Sequence, residues 1–297
     1  MRSPLPAAAI LHYRLAERLG CGGDAERYRA IDVRDGGEVE LELLPLAASP
    51  EPEPGTPGEP ARWLGAARAA EALGLSGIVP LYDLGAWQGR TFVVTPRVAG
   101  RSFAELAGSV APREALRLVC EVAELLAHAH AHGVVHGALS ADRLVRGPDA
   151  RARIVGFGLG PLLDAAPAVR ASGAYGEVAP ELVGGGASDV GSEVYALGAV
   201  LRALLARGPA GRATRATEAL CRSALATDPG LRFADMAAFA RALRAARHPW
   251  RPLGRQLLAA GAVLALAMLA LLLLRSCGAQ SPAGAEPPPE TSAPPTP

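Results

Sequence analysis

The spacing of apolar residues changes near Gly100, and that change limits the fold more than any other feature. Over residues 38–43 apolar and acidic side chains alternate strictly. Glu38, Glu40 and Glu42 lie on one face, Val39, Leu41 and Leu43 on the other. A period of two marks a half-buried strand. Residues 13–19 and 25–32 also suit strands, with Gly20, Gly22 and Gly23 making the turn between them. Residues 78–83 and 91–95 read as two more, and an alanine-dominated helical run over 61–73 interrupts the series. Beyond Gly100 the pattern is mostly helical. Pro112 stands at a first-turn position before a long run to His130, and 193–206 is a further helix. Strands first and helices afterwards predict an α+β chain with a small β-rich lobe and a larger helical one. The 297 residues suffice for one two-lobed domain and an appendage.

The appendage is the uncharged run 256–274, QLLAAGAVLALAMLALLLL. As a helix it would be roughly 28 Å long, close to the hydrocarbon thickness of a bilayer. It shows no polar face, so a single transmembrane helix is expected. Arg241, Arg244, Arg247, Arg251 and Arg255 precede it, and only Arg275 follows it. This asymmetry predicts that the preceding domain is cytoplasmic, with the run crossing an inner membrane. The tail 275–297, rich in proline, alanine and serine, is expected to be disordered on the far side. Residues 45–60 carry many prolines and glutamates and are expected to loop out. Pro4 and Pro6 interrupt the first apolar stretch, so no secretory leader is expected.

A formal charge of +1 gives no argument for nucleic acid as a partner. The four cysteines, Cys21, Cys120, Cys221 and Cys277, are far apart and form no paired spacing, which speaks against a zinc site or a disulfide framework. His128, His130, His132 and His136 are close in sequence but lack a nearby carboxylate or thiol, and read as a helix end running into a loop. All 30 basic residues are arginine. The chain contains neither lysine nor asparagine.

The order of short motifs resembles the bacterial serine/threonine protein kinases. LGCGGDAERYRA (19–30) resembles the glycine-rich phosphate loop, and GEVELELLP (37–45) the third strand. HGVVHGALSADRLV (132–145) is similar to the catalytic loop, and IVGFGLG (154–160) to the metal-binding segment. Ala179-Pro180-Glu181 is similar to the end of the activation segment. SEVYALGAVLRALL (192–205) resembles the central helix, and DPGLRFADMAAFARAL (228–243) the last helices. The resemblance covers residues 12–246 and implies a protein-kinase-like fold. The small lobe would span 12–99 and the large lobe 100–246, after a short extension (1–11) and before a basic juxtamembrane segment (247–255).

The resemblance also implies which positions bear on chemistry. Phosphoryl transfer is mostly positioning and charge neutralisation. The strand lysine that holds phosphate is matched by Glu42, and the helix glutamate that orients it by Ala66. The catalytic aspartate is matched by Ala138 and the lysine after it by Ser140. The asparagine and aspartate that hold metal are matched by Arg143 and Gly156. No lysine or asparagine exists elsewhere in the chain to replace them. The two residues that sandwich adenine are matched by Arg27 and Glu40, so Arg27 could pair with Glu40 or Glu42 across neighbouring strands. Otherwise Glu38, Glu40 and Glu42 form a solvated strand face. Gly20, Gly22 and Gly23 are a weak remnant of the phosphate loop.

His136, Phe157, Glu181, Glu193 and Arg232 match positions that brace the fold, with Glu181 and Arg232 expected to pair. These matches together imply a membrane-tethered pseudokinase that is not an enzyme and has no cofactor or metal. It would act as a scaffold or allosteric regulator in cytoplasmic signalling, with a signalling protein such as an active kinase as partner. The alternatives are a nucleotide sensor that binds ATP without catalysis and, with Glu42, Asp142 and the histidines as raw material, an altered transferase.

Overall fold

The computed structural model describes residues 9–22, 25–44, 59–160, 163, 178–206, 214–247 and 266–268. Six strands form an antiparallel sheet in the order β1-β2-β3-β4-β7-β6. They are β1 (Ala9–Ile10), β2 (Tyr13–Gly22), β3 (Ala25–Asp32), β4 (Glu38–Leu44), β6 (Asp83–Trp87) and β7 (Arg90–Pro96). Their inward residues bury a core around Ile10, Tyr13, Tyr28, Leu41, Phe92 and Val94. Helix α1 (Glu59–Ala72) precedes β5 (Ile78–Val79).

The alternation over 38–43 is realised as β4, in which Val39, Leu41 and Leu43 are buried. The strand expected over 78–83 divides instead. β5 pairs in parallel with β10 (Ala152–Val155), whereas β6 joins the six-stranded sheet. Pro80 lies at the break, where its missing N–H cannot serve a ladder. Ala9 and Ile10, expected in a short extension, pair with Arg14 and Tyr13 of β2. Glu59 and Pro60 start α1 rather than ending a loop, with proline tolerated in a first turn.

The second sheet has the order β5-β10-β9-β8, with β8 at Arg101–Ser102 and β9 at Leu144–Arg146. Around it lie α2 (Phe103–Leu106), α3 (Pro112–Ala131), α4 (Pro180–Val183), α5 (Val190–Leu204), α6 (Arg215–Ala224) and α7 (Met236–Arg247). Pro112 opens α3, and the helix buries Leu118, Val119, Val122, Leu126 and Ala129 as one stripe. Helices α5 and α7 pack on α3, adding Leu197, Leu201, Phe239 and Leu243 to the core. Asp189 caps α5 through a reciprocal box with Ser192, so the helix begins three residues before Glu193.

Among the described residues no helix is long and apolar enough to cross a membrane. Of the expected span 256–274 only 266–268 are described, as helix, and they belong to the separate unit His248–Pro297. The loop 45–58 and the tail lie outside the described residues.

Candidate functional site

Strands β3, β4 and β7 of one sheet and β9 and β10 of the other contribute residues to a cleft whose walls are charged. Glu42 in β4 stands beside Arg27 of β3 and Val93 of β7. Its side chain crosses to the helical lobe, where Nη2 of Arg143 donates to Oε2 at 2.7 Å and to Oε1 at 3.0 Å. Both residues are buried. Arg143 ends the 3-10 turn Ala141–Arg143, which sets its guanidinium under the small lobe. Gly156 follows β10 at φ +88°, and a side chain there would place its first carbon 2.6 Å from Arg143 Nη1. The guanidinium thus fills the space that a residue with a side chain would need at position 156.

A second pair lies nearer solvent. Arg27 is 3.6 Å from Glu40 and 3.4 Å from Asp142 of the helical lobe. Burial raises the Glu40 carboxyl above the usual carboxylate range, opposed by Arg27. The remaining cavity, between Val93, Thr95, Val145 and Val155, is about 50 Å³. Ligand pockets usually run to roughly 300–1,000 Å³. The expectation of a solvated glutamate face therefore fails for Glu42, which spans the cleft instead. Arg27 pairs with Glu40, one of the two partners foreseen.

Below the cleft the loop 136–140 is held by hydrogen bonds. His136 is fully buried, with Nε2 donating to the Val155 carbonyl at 3.1 Å and Nδ1 accepting from Ala138 N–H at 3.1 Å. Its ring lies 4.7 Å from that of Phe157. Burial pushes the imidazole down to about 4. Ala138 and Ser140 are buried and offer no acid or base of their own. Glu193 accepts the Gly137 N–H at 2.6 Å and meets His130 Nε2 at 2.7 Å. His130 was not foreseen here. Its signal was present, since it continues the buried α3 stripe through Val119, Val122 and Leu126.

Glu181 opens α4 and meets Arg232 through two parallel bonds of 2.6 and 2.7 Å. Gly20 and Gly22 end β2, opposite Arg27 and Ala25 of β3. Gly23 lies outside the described residues. Ala66 lies within α1. Among the described residues no group of histidine, cysteine and carboxylate side chains is placed to hold a metal.

The chain is 34% identical over 212 residues to the DNA damage-responsive serine/threonine-protein kinase RqkA of Deinococcus radiodurans, covering 67% of this chain and 30% of that protein. It is 30% identical over 199 residues to the serine/threonine-protein kinase PknA of Mycobacterium tuberculosis, covering 63% of this chain and 45% of that one. It is 28% identical over 199 residues to the serine/threonine-protein kinase PrkC of Bacillus subtilis, covering 65% and 30%. The chain belongs to the bacterial serine/threonine protein kinase family.

It spans less than half the length of each of these relatives. No family model matches it. The fold is shared with the kinase domain of Mycobacterium tuberculosis PknI, at TM-score 0.60 and 22% identity over 82% of this chain and 99% of that one. It is also shared with the apo form of PpkA-294, at TM-score 0.57 and 16% identity over 81% and 99%.

Membership corrects one expectation. The matched positions predict a chain that is not an enzyme, and relatives named as serine/threonine-protein kinases overturn that. The kinase family pairs its nucleotide with a magnesium ion, and the residues present do not fit that ion. Gly156 brings no carboxylate, and the space beside it holds a guanidinium, which donates hydrogen bonds only and repels a cation.

Proposed function

We propose that this kinase-family chain is a membrane-tethered scaffold or allosteric regulator in cytoplasmic signalling, and that its interlobe cleft works as a charge-locked joint. The observation that carries this reading is the buried bond from Arg143 to Glu42, which ties the β-rich lobe to the helical lobe. Removing either partner would leave a buried charge unpaired, so the pair favours one lobe arrangement. A fixed arrangement presents a fixed outer surface, which is what a scaffold requires. The tether is the apolar run 256–274, and the arginines before it support a cytoplasmic domain. The partner proposed is a signalling protein on the cytoplasmic side, an active kinase being the first to look for.

The test is affinity capture of the tagged full chain from native membranes. A partner should be enriched over a tagged membrane control, and Glu42→Arg, which sets two like charges face to face, should release it. Capture of nothing above the control would overturn the proposal.

A further inference from the structure

The position of Arg143 suggests a ligand chemistry for the cleft. Where a metal-dependent kinase site would gather oxygen ligands around a cation, this chain has Gly156 with Arg143 Nη1 beside it. The other terminal nitrogen, Nη2, holds Glu42. A guanidinium is charged at every physiological pH and matches phosphate in planar, two-bond geometry. We propose that Arg143 is a metal-independent phosphate site. A phosphoryl-bearing anion entering the cleft takes the guanidinium from Glu42, and the arginine supplies the charge that a divalent ion supplies elsewhere. This rests on the reading of the cleft as a charge-locked joint and names the class of ligand that releases it.

Three features set how such a site behaves. Glu42 is a built-in competitor, held at 2.7 Å by the same nitrogen. The groups around the cleft are Arg27 and Arg143 against Glu40, Glu42 and Asp142, so 2 cations minus 3 carboxylates leaves −1. Anion binding to the unaltered chain is therefore weak and grows when Glu42 is neutralised. Among the described residues the side-chain ion pairs of Arg27 are the long ones with Glu40 and Asp142, so it can turn toward an incoming phosphate. Val93, Val98, Val145 and Val155 line the cleft, whose cavity of about 50 Å³ has no room for a nucleobase while Arg143 holds Glu42; once that bond is released they give a base an apolar wall that a free phosphate would not use.

The experiment is isothermal titration of the full chain, in EDTA, with ADP and separately with inorganic pyrophosphate. The unaltered chain should bind in the millimolar range. Glu42→Gln, which keeps the shape and removes the charge, should bind about tenfold tighter, as expected when one charge-assisted bond no longer competes. Arg143→Met should abolish binding in both backgrounds, and added magnesium should not strengthen it. Preference for ADP over pyrophosphate identifies a nucleotide as the source, and equal affinity identifies the phosphate group alone. If Arg143→Met does not fold, Arg143→Lys serves, and it should weaken binding about tenfold because the forked geometry is lost. The proposal is overturned if neither the unaltered chain nor Glu42→Gln binds, if binding survives the loss of Arg143, or if it requires magnesium. Partner capture is measured without nucleotide, so failure there and failure here are separate results.

Discussion

The carboxylate of Glu193 accepts the backbone N–H of Gly137 at 2.6 Å, while its other oxygen lies 2.7 Å from His130 Nε2. One side chain thus fastens α5 to α3 and to the loop beneath the cleft. Gly137 has φ +74°, and a side chain there would bring its first carbon within 2.3 Å of the Gly160 Cα. The loop therefore packs too closely on Gly160 for any residue but glycine at position 137.

Glu193→Ala would remove the carboxylate that accepts the Gly137 N–H and meets His130 Nε2 in the interior. The expected cost is about 3–5 kcal/mol, the range for breaking one side of a buried charged network. Glu193→Gln keeps an acceptor for Gly137 and should lose less than half as much. Urea denaturation at constant slope checks the order. Equal losses for both variants would show that the Gly137 bond carries little of the stability.

The cleft pair calls for a double-mutant cycle, because each single variant also exposes the cost of stranding its partner. Glu42→Gln and Arg143→Met should each destabilise the chain by about 3 kcal/mol, and the double variant by much less than their sum. A coupling of about 2 kcal/mol or more is expected for residues in direct buried contact. Additive losses would show that the two residues do not depend on each other.

The alternation over 38–43 showed β4, and Pro112 showed the start of α3, because period and proline chemistry act locally. The Glu181–Arg232 pairing was legible from the motif order. The destination of Glu42 was not. Alternation assigns a side chain to a face of the sheet, and only the docking of a second lobe turns that face from solvent to interior. Residues 78–83 read as one strand although Pro80 stands inside them, and β5 belongs to a different sheet because β10, more than seventy residues later, pairs with it. His130 lies on the buried α3 stripe, but its partner was not legible. A histidine at a helix end looks solvated until a carboxylate from another helix is known to meet it.

Acid should weaken the fold through His136. Burial is the main cause of its depression from 6.5 to about 4, with Glu193 pulling the other way. Between those values the unfolded chain binds a proton that the folded chain does not. Stability therefore rises with pH across this window, is fully present above about 6.5, and is lost as pH falls toward 4. The contribution is roughly 3 kcal/mol. Urea denaturation at pH 7 and pH 5 samples the upper part of this window, over which about 2 kcal/mol should be lost. His136→Gln should be less stable at pH 7 and should lose much of the difference between the two pH values. An unchanged difference would place the acid sensitivity elsewhere.

Arg232 uses all five of its N–H donors. Nε donates to Ala226 O at 2.8 Å, and the two terminal nitrogens reach Glu181 Oε1 and Oε2, Gly191 O at 3.0 Å and Thr227 O at 3.3 Å. Its charge also lies 5.0 Å from the ring centre of Tyr195. A lysine keeps the charge but offers three donors on one nitrogen, so it cannot serve carbonyls and a carboxylate that lie in different directions. Arg232→Lys should therefore destabilise nearly as much as Arg232→Met, by about 3 kcal/mol. The same bonds hold the Glu181 carboxyl below its usual range, chiefly through the hydrogen bonds from Arg232. The unfolded chain thus takes up a proton at a higher pH than the folded chain, and the stabilisation, full above the ordinary glutamate range near 4.5, is lost as pH falls through the lowered value. In Arg232→Met the Glu181 titration, followed by carboxyl carbon NMR, should return to the ordinary range. If Arg232→Lys retains full stability, charge alone holds this corner together and the five-bond account is wrong.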